Sequence, residues 1–171
     1  MKRITLLLCA LATLGGLVVF NAPASGQTGV AAAPVYGVKI PSGYRDWTLI
    51  SVGRVGAPLN DMRAKLGNDV AIRAFREGKI PFPDGTIIAR LAWNQATSEE
   101  NNQALTVESF VAGPATNLEF MVKDSRKYAS TGGWGFGQFT DGKPDSEALH
   151  NTCFACHALA KQDFVFTHYS Q

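Results

Sequence analysis

Near the end of the chain, Cys153-Phe154-Ala155-Cys156-His157 sets two thiols and an imidazole within one short segment. On a helix, residues three apart are neighbours about one turn from each other. Two thiols so placed can add to the two vinyl groups along one edge of a haem, forming thioethers. The histidine after the second cysteine then faces the iron and supplies an imidazole ligand. C-x-x-C-H is therefore the attachment pattern of a c-type haem. One haem c, covalent through Cys153 and Cys156 and ligated by His157, is the expected cofactor.

Two other chemistries use closely spaced cysteines. A thiol–disulfide oxidoreductase opens a helix with C-x-x-C early in a βαβ domain. Here the motif lies late in a strand-rich chain. A structural zinc site needs four ligands, and the sequence holds no second cysteine pair.

The sixth position of the iron separates an electron carrier from a ligand-binding haem. The candidate ligands are Met62, Met121, His150 and His168. His150 precedes His157 by about two helical turns, so it shares that histidine's side and does not reach the opposite face. His168 reads as a surface or supporting residue, and both methionines read as core or surface. The expectation is a five-coordinate iron with an apolar distal side, with Phe75, Phe82 and Phe110 as candidate lids.

The elements that must position this motif are mostly strands. Trp47–Val52 and Thr86–Trp93 mix aromatic and β-branched residues. Met62–Leu66, Leu105–Val111 and Leu118–Val122 read as further strands. Trp134–Phe139 alternates aromatic with glycine or glutamine, which suits a strand beneath a flat ligand or another backbone. Asn68 caps a helix over Asp69–Glu77 that Gly78 stops, with Val70, Ala71, Ala74 and Phe75 on one face. Pro81–Gly85 is a rigid turn, Gln95–Gln103 a polar loop, and Asp124–Tyr128 a helical turn. Ser146–Ala160 is helical in its first half, and Phe164–Phe166 closes the chain as a strand. The predicted class is α+β, mainly antiparallel β sheet with a few short helices.

The N-terminus reads as an address. Lys2 and Arg3 precede the uncharged, mostly apolar run Ile4–Phe20, and Ala22 and Ala24 fit a small-x-small cleavage site. An uncleaved anchor is the alternative, because the run sits at the low edge of spanning length. Cleavage gives a signal peptide at 1–24, a flexible arm at 25–43 and a haem domain at 44–171. Export to the periplasm follows, which agrees with attachment of c-type haem outside the cytoplasm. Cys9 leaves with the signal.

The whole chain has 171 residues, with 16 basic and 14 acidic side chains. Loss of Lys2 and Arg3 equalises the charges, so the mature domain is formally neutral. A neutral domain with dispersed charge exerts no general pull on nucleic acid or an anionic membrane. Haem propionates would make it slightly acidic unless residues such as Arg45 or Arg90 neutralise them.

Several short motifs recur in a familiar order: Tyr44-Arg45-Asp46-Trp47, Phe82-Pro83-Asp84-Gly85-Thr86, Val122-Lys123-Asp124-Ser125 with Tyr128, Gly133-Trp134-Gly135-Phe136, the late C-x-x-C-H, and Asp163-Phe164-Val165-Phe166-Thr167. From about Tyr44 to Tyr169 the chain resembles the cytochrome P-460 family, which includes the cytochromes c′-beta. The resemblance implies a mainly antiparallel β fold, usually homodimeric, and a five-coordinate haem c that binds small ligands such as nitric oxide. The family's enzymatic branch oxidises hydroxylamine. That branch carries a haem-cross-linked lysine after the Asp-Gly-Thr turn, where this chain has Arg90, and a guanidinium is a poor nucleophile. It also places a carboxylate just after the haem histidine, where this chain has Ala158, Leu159 and Ala160 before Asp163. Both departures disfavour hydroxylamine oxidation. Arg90 either projects into the pocket toward a ligand or propionate, or pairs on the strand surface.

The expected function is therefore capture of nitric oxide or a similar diatomic or nitrogen-oxide ligand by an exported mono-haem protein. The alternatives are an electron-transfer cytochrome with a methionine sixth ligand and a redox partner protein, or a hydroxylamine or nitrogen-oxide oxidoreductase.

Overall fold

Six strands pair in chain order as one antiparallel sheet: β1 Thr48–Val55, β2 Asp61–Gly67, β3 Ile87–Thr97, β4 Phe110–Lys123, β5 Trp134–Thr140 and β6 Lys143–Pro144. Among the described residues, the helices α1 Asp69–Glu77 and α2 Glu99–Leu105 join strands, and α3 Glu147–His157 follows β6. This computed structural model describes residues 31–170; the signal peptide predicted at 1–24 and residues 25–30 of the predicted arm lie outside the described residues. The architecture is α+β, and no helix among the described residues is long and apolar enough to cross a membrane.

Strand alternation gives the sheet two faces. On one, Ile88, Met121, Trp134 and Phe136 meet Ala71, Ile72 and Ala74 of α1, Cys153 and Phe154 of α3, and Val165. On the other, Ala89, Phe120 and Phe139 meet Ala33 and Val38. Residues 31–43 are therefore not the flexible arm the composition predicts. Ala33 and Val38 are buried, the Ala33 N–H donates to the Val38 carbonyl at 2.6 Å, and the Tyr128 hydroxyl donates to the Tyr36 carbonyl at 3.1 Å. Val38 and the Tyr128 ring fit where β5 offers glycine. A Cβ on Gly135 would lie 2.3 Å from the Tyr128 ring, and one on Gly137 would lie 2.9 Å from Val38. The β5 glycines thus make room for side chains on this second face, not for a flat ligand.

α1 has the predicted limits for local reasons. The Asn68 Oδ1 accepts from the N–H groups of Ala71 and Ile87, at 3.0 and 3.1 Å, and its Nδ2 donates to the Gly85 carbonyl at 2.8 Å. One side chain thereby caps the helix and anchors the start of β3. Gly78 closes the helix at φ 61.

Four predicted elements differ. The helix predicted for only the first half of 146–160 runs on to His157 as α3. The loop over Gln95–Gln103 is the end of β3 followed by α2, capped by Ser98, whose Oγ accepts from Asn101 N–H at 3.3 Å. α2 buries no residue, so it carries no apolar stripe for periodicity to reveal. The strand predicted at Leu105–Val111 begins only at Phe110 and continues unbroken through Leu118–Val122. Phe164–Phe166 is no strand; it lies in a turn closed by a single bridge between Gln162 and Val165.

Candidate functional site

The C-x-x-C-H segment forms the last part of α3, whose first turn is capped by Ser146. His150 docks this helix on the sheet. Its Nε2 accepts from the Gln138 backbone N–H at 3.0 Å, so its Nδ1 carries the proton and donates to the Ser146 carbonyl at 2.8 Å. Fully buried and satisfied at both nitrogens, His150 is a structural residue.

His157 stands differently. Its Nδ1 lies 2.8 Å from the Phe164 carbonyl, which can only accept and so requires Nδ1–H as donor. Nε2 is then the nitrogen left to ligate a metal, and the carbonyl fixes the ring's tautomer and orientation. Phe136 packs against the imidazole at 4.8 Å between ring centroids, and Phe166 at 5.5 Å.

Cys153, Cys156 and His157 share a cavity of about 400 Å³ with Arg90. The four residues singled out in the sequence are thus brought together. The sheet supplies two adjacent cross-strand rows to this cavity. One row is apolar: Ile88 pairs with Met121, and Met121 with Phe136. The next is polar: Lys65 pairs with Arg90, Arg90 with Glu119, and Glu119 with Gln138.

Arg90 takes a position between the two readings of its role. It lines the cavity, yet it is also paired. Its Nε donates to Glu119 Oε2 at 2.7 Å, its Nη2 donates to Asn117 at 2.7 Å and to Glu119 Oε1, and Asp61 lies 3.9 Å from Nη1. Arg63 donates to Asp61 at 2.8 Å from Nη2. Around this end of the cavity stand Arg63, Lys65 and Arg90 against Asp61 and Glu119, one cation in excess. Burial, then Arg63 and Arg90, lower the Lys65 pKa.

Sequence reading missed Arg63, Lys65 and Glu119. A signal existed in β2, where Arg63 and Lys65 alternate with Met62, Ala64 and Leu66. Which face was the site's required the register. Arg45 does not join them: it lies over the Tyr44 ring, 5.1 Å from its centroid, beside a second pocket. The phenylalanine lids are also elsewhere. Phe75 and Phe82 pack on each other at 4.9 Å in the core under α1, and Phe110 meets Arg54 at 4.8 Å. The phenylalanines lining the cavity are Phe120, Phe136 and Phe166. Met62 and His168 do not line it, whereas Met121 does.

These residues fit a covalently held haem better than a dithiol redox centre. The two thiols are free and lie at the C-terminal end of α3, away from the positive end of its dipole. Burial above all, then the Glu119 carboxylate, pushes the Cys153 thiol from its ordinary 9.0 up to about 11. A redox-active thiol needs the opposite shift. The apolar row, the imidazole with one nitrogen available, and the surplus cation suit a flat macrocycle with carboxylate substituents.

Comparison with known proteins returns one family, described as Cytochrome P460, matching residues 41–167. No curated protein matches the chain.

Proposed function

The chain belongs to the Cytochrome P460 family, and on that premise we propose that it is an exported c-type haem protein with an open iron site for nitric oxide or a similar small ligand. Cys153 and Cys156 would form the thioethers, and His157 Nε2 would ligate the iron. Haem, when bound, supplies an iron centre that takes a small ligand or passes one electron. The observation carrying this reading is the composition of the cavity. Among the described residues lining it, His157 is the one histidine and Met121 the one methionine. Met121 sits in the apolar row between Ile88 and Phe136, as a core residue does.

The chain's own residues have distinct tasks. The Phe164 carbonyl holds the imidazole, and Phe136 and Phe166 flank it. Ile88, Met121 and Phe136 keep one end of the cavity apolar, which favours an uncharged diatomic ligand over an ion. Arg63, Lys65 and Arg90 would receive the propionates or a polar ligand atom. Arg90 is engaged by Glu119 and Asn117 and is a poor nucleophile, so we expect no haem cross-link there. The reading also includes a periplasmic location and a homodimeric state.

Absorption spectra of the oxidised and reduced protein, with and without nitric oxide, test the proposal. A high-spin reduced spectrum that changes on adding nitric oxide is expected. A low-spin spectrum indifferent to nitric oxide and carbon monoxide would overturn it. The presence of Met121 in the cavity favours one second reading, an electron-transfer cytochrome with a methionine ligand and a redox partner. A spectrum altered by Met121→Ala would establish that reading instead.

A further inference from the structure

Lys123 and Asp163 form an ion pair that the haem chemistry above does not use. Both are nearly closed off from water, with side-chain exposures of 6% and 7%. The Lys123 ammonium donates to both Asp163 oxygens and to the Gly132 carbonyl, each at 2.9 Å, and lies 4.9 Å from the centroid of the Trp134 ring. Asp163 Oδ2 also accepts from the Phe82 N–H at 2.8 Å. Burying such a pair costs desolvation that a hydrophobic pair avoids, so it is poor value as a mere stability element.

Its location supplies a reason. Asp163 and Phe164 are consecutive non-glycine residues in the left-handed region, at φ 48 and φ 66. That backbone persists only where its surroundings enforce it. The enforcement comes from both residues. Asp163 is held by the end of β4 and the turn before β3, through Lys123 and Phe82. The Phe164 ring rests over Gly132, where a Cβ would come within 2.2 Å of it, and against Phe154 of α3 at 5.5 Å. The strained turn presents the Phe164 carbonyl to His157 Nδ1.

We propose that the Lys123–Asp163 pair is a positioning device for His157: it clamps the 162–165 turn so that the Phe164 carbonyl sets the orientation and basicity of the imidazole. This rests on His157 being the iron ligand. The length and direction of the Nδ1–H···O bond govern how strongly the other nitrogen donates to a metal. The ion pair, which does not line the cavity, would thereby act on a bound metal through the imidazole of His157.

The test uses haem-loaded protein and the double variant Lys123→Met/Asp163→Asn, which leaves no buried charge unpaired. Lys123→Gln/Asp163→Asn, which keeps a neutral hydrogen-bonding pair and strands no charge, is the milder second variant. The readouts are the iron–histidine stretching band of the ferrous protein by resonance Raman and the midpoint potential. The expected result is a band shifted to lower frequency and broadened in both variants, with a raised midpoint potential, while circular dichroism and haem content stay native. If the first variant does not fold, Lys123→Gln/Asp163→Asn decides on the same readouts. Native-like variants with unchanged band and potential overturn the clamp. A wild-type protein whose spectra give no sign of histidine ligation overturns the assignment of His157, and the clamp with it, before any variant is made.

Discussion

At the scale of single residues, the site depends on how each polar group is satisfied. His150 and His157 lie on one helix, yet one is closed off and the other is left with a usable nitrogen. The difference is the Gln138 N–H, which occupies Nε2 of His150. The cysteines differ as well. Cys153 is half-buried with its thiol pushed up to about 11, while Cys156 is exposed. Alkylation of the haem-free protein at neutral pH should therefore modify Cys156 well before Cys153, as peptide mass mapping would reveal. The same shift affects stability. Between the unfolded value near 9.0 and the folded value of about 11, the unfolded chain has lost the thiol proton that the folded one keeps. Haem-free protein should lose stability as pH rises through that window, and Cys153→Ser should flatten the loss in denaturant titrations. Arg90→Met would leave Glu119 without its two guanidinium bonds and should cost about 2 kcal/mol in denaturant unfolding.

At the scale of elements, a few side chains act as staples between segments distant in sequence. Asn68 joins α1 to the start of β3, and Asn68→Ala should lower unfolding stability by about 1–2 kcal/mol. Asp84 joins the turn before β3 to the end of β4, accepting from the Ser125 N–H at 2.8 Å and its hydroxyl at 2.7 Å. Those two bonds hold its carboxyl below the usual range, so the staple is present at neutral pH and is lost as pH falls through that lowered value. Gly135 is the tightest position in β5, because an added methyl meets the Tyr128 ring. Gly135→Ala should cost about 1–3 kcal/mol through overpacking, measured as a lower denaturation midpoint. Asp84, Ser125, Tyr128 and Gly135 fall within the short motifs that carry the family resemblance, whereas Asn68 lies outside them.

At the scale of the whole molecule, the described residues wrap both faces of one sheet, and the two faces have different work. The face with α1 and α3 holds the cavity, and the face with residues 33–47 seals the back of the sheet. If residues 1–24 are a signal that is removed, the exported protein should have the mass of residues 25–171 plus one haem that survives denaturation. Intact-mass spectrometry of the secreted protein checks both points together.

What the sequence by itself determined was local. The C-x-x-C-H spacing, the Asn68 cap and the Gly78 stop follow from geometry within a helical turn or two, and the structure repeats them without change. The β-branched start of Thr86–Trp93 and the aromatic alternation in Trp134–Phe139 were equally legible as strands, although both strands are buried on both faces. Tertiary structure decided which residues meet. Lys65, Arg90, Glu119 and Gln138 come from four strands and form one row only through register, which no single segment encodes. The burial of Val38 depends on Gly137, about a hundred positions later, and the setting of His157 on a turn pinned by Lys123 from β4. Local spacing named the groups able to do chemistry, and long-range pairing determined their surroundings, because a side chain's partners across a sheet are set by the folding of the whole chain.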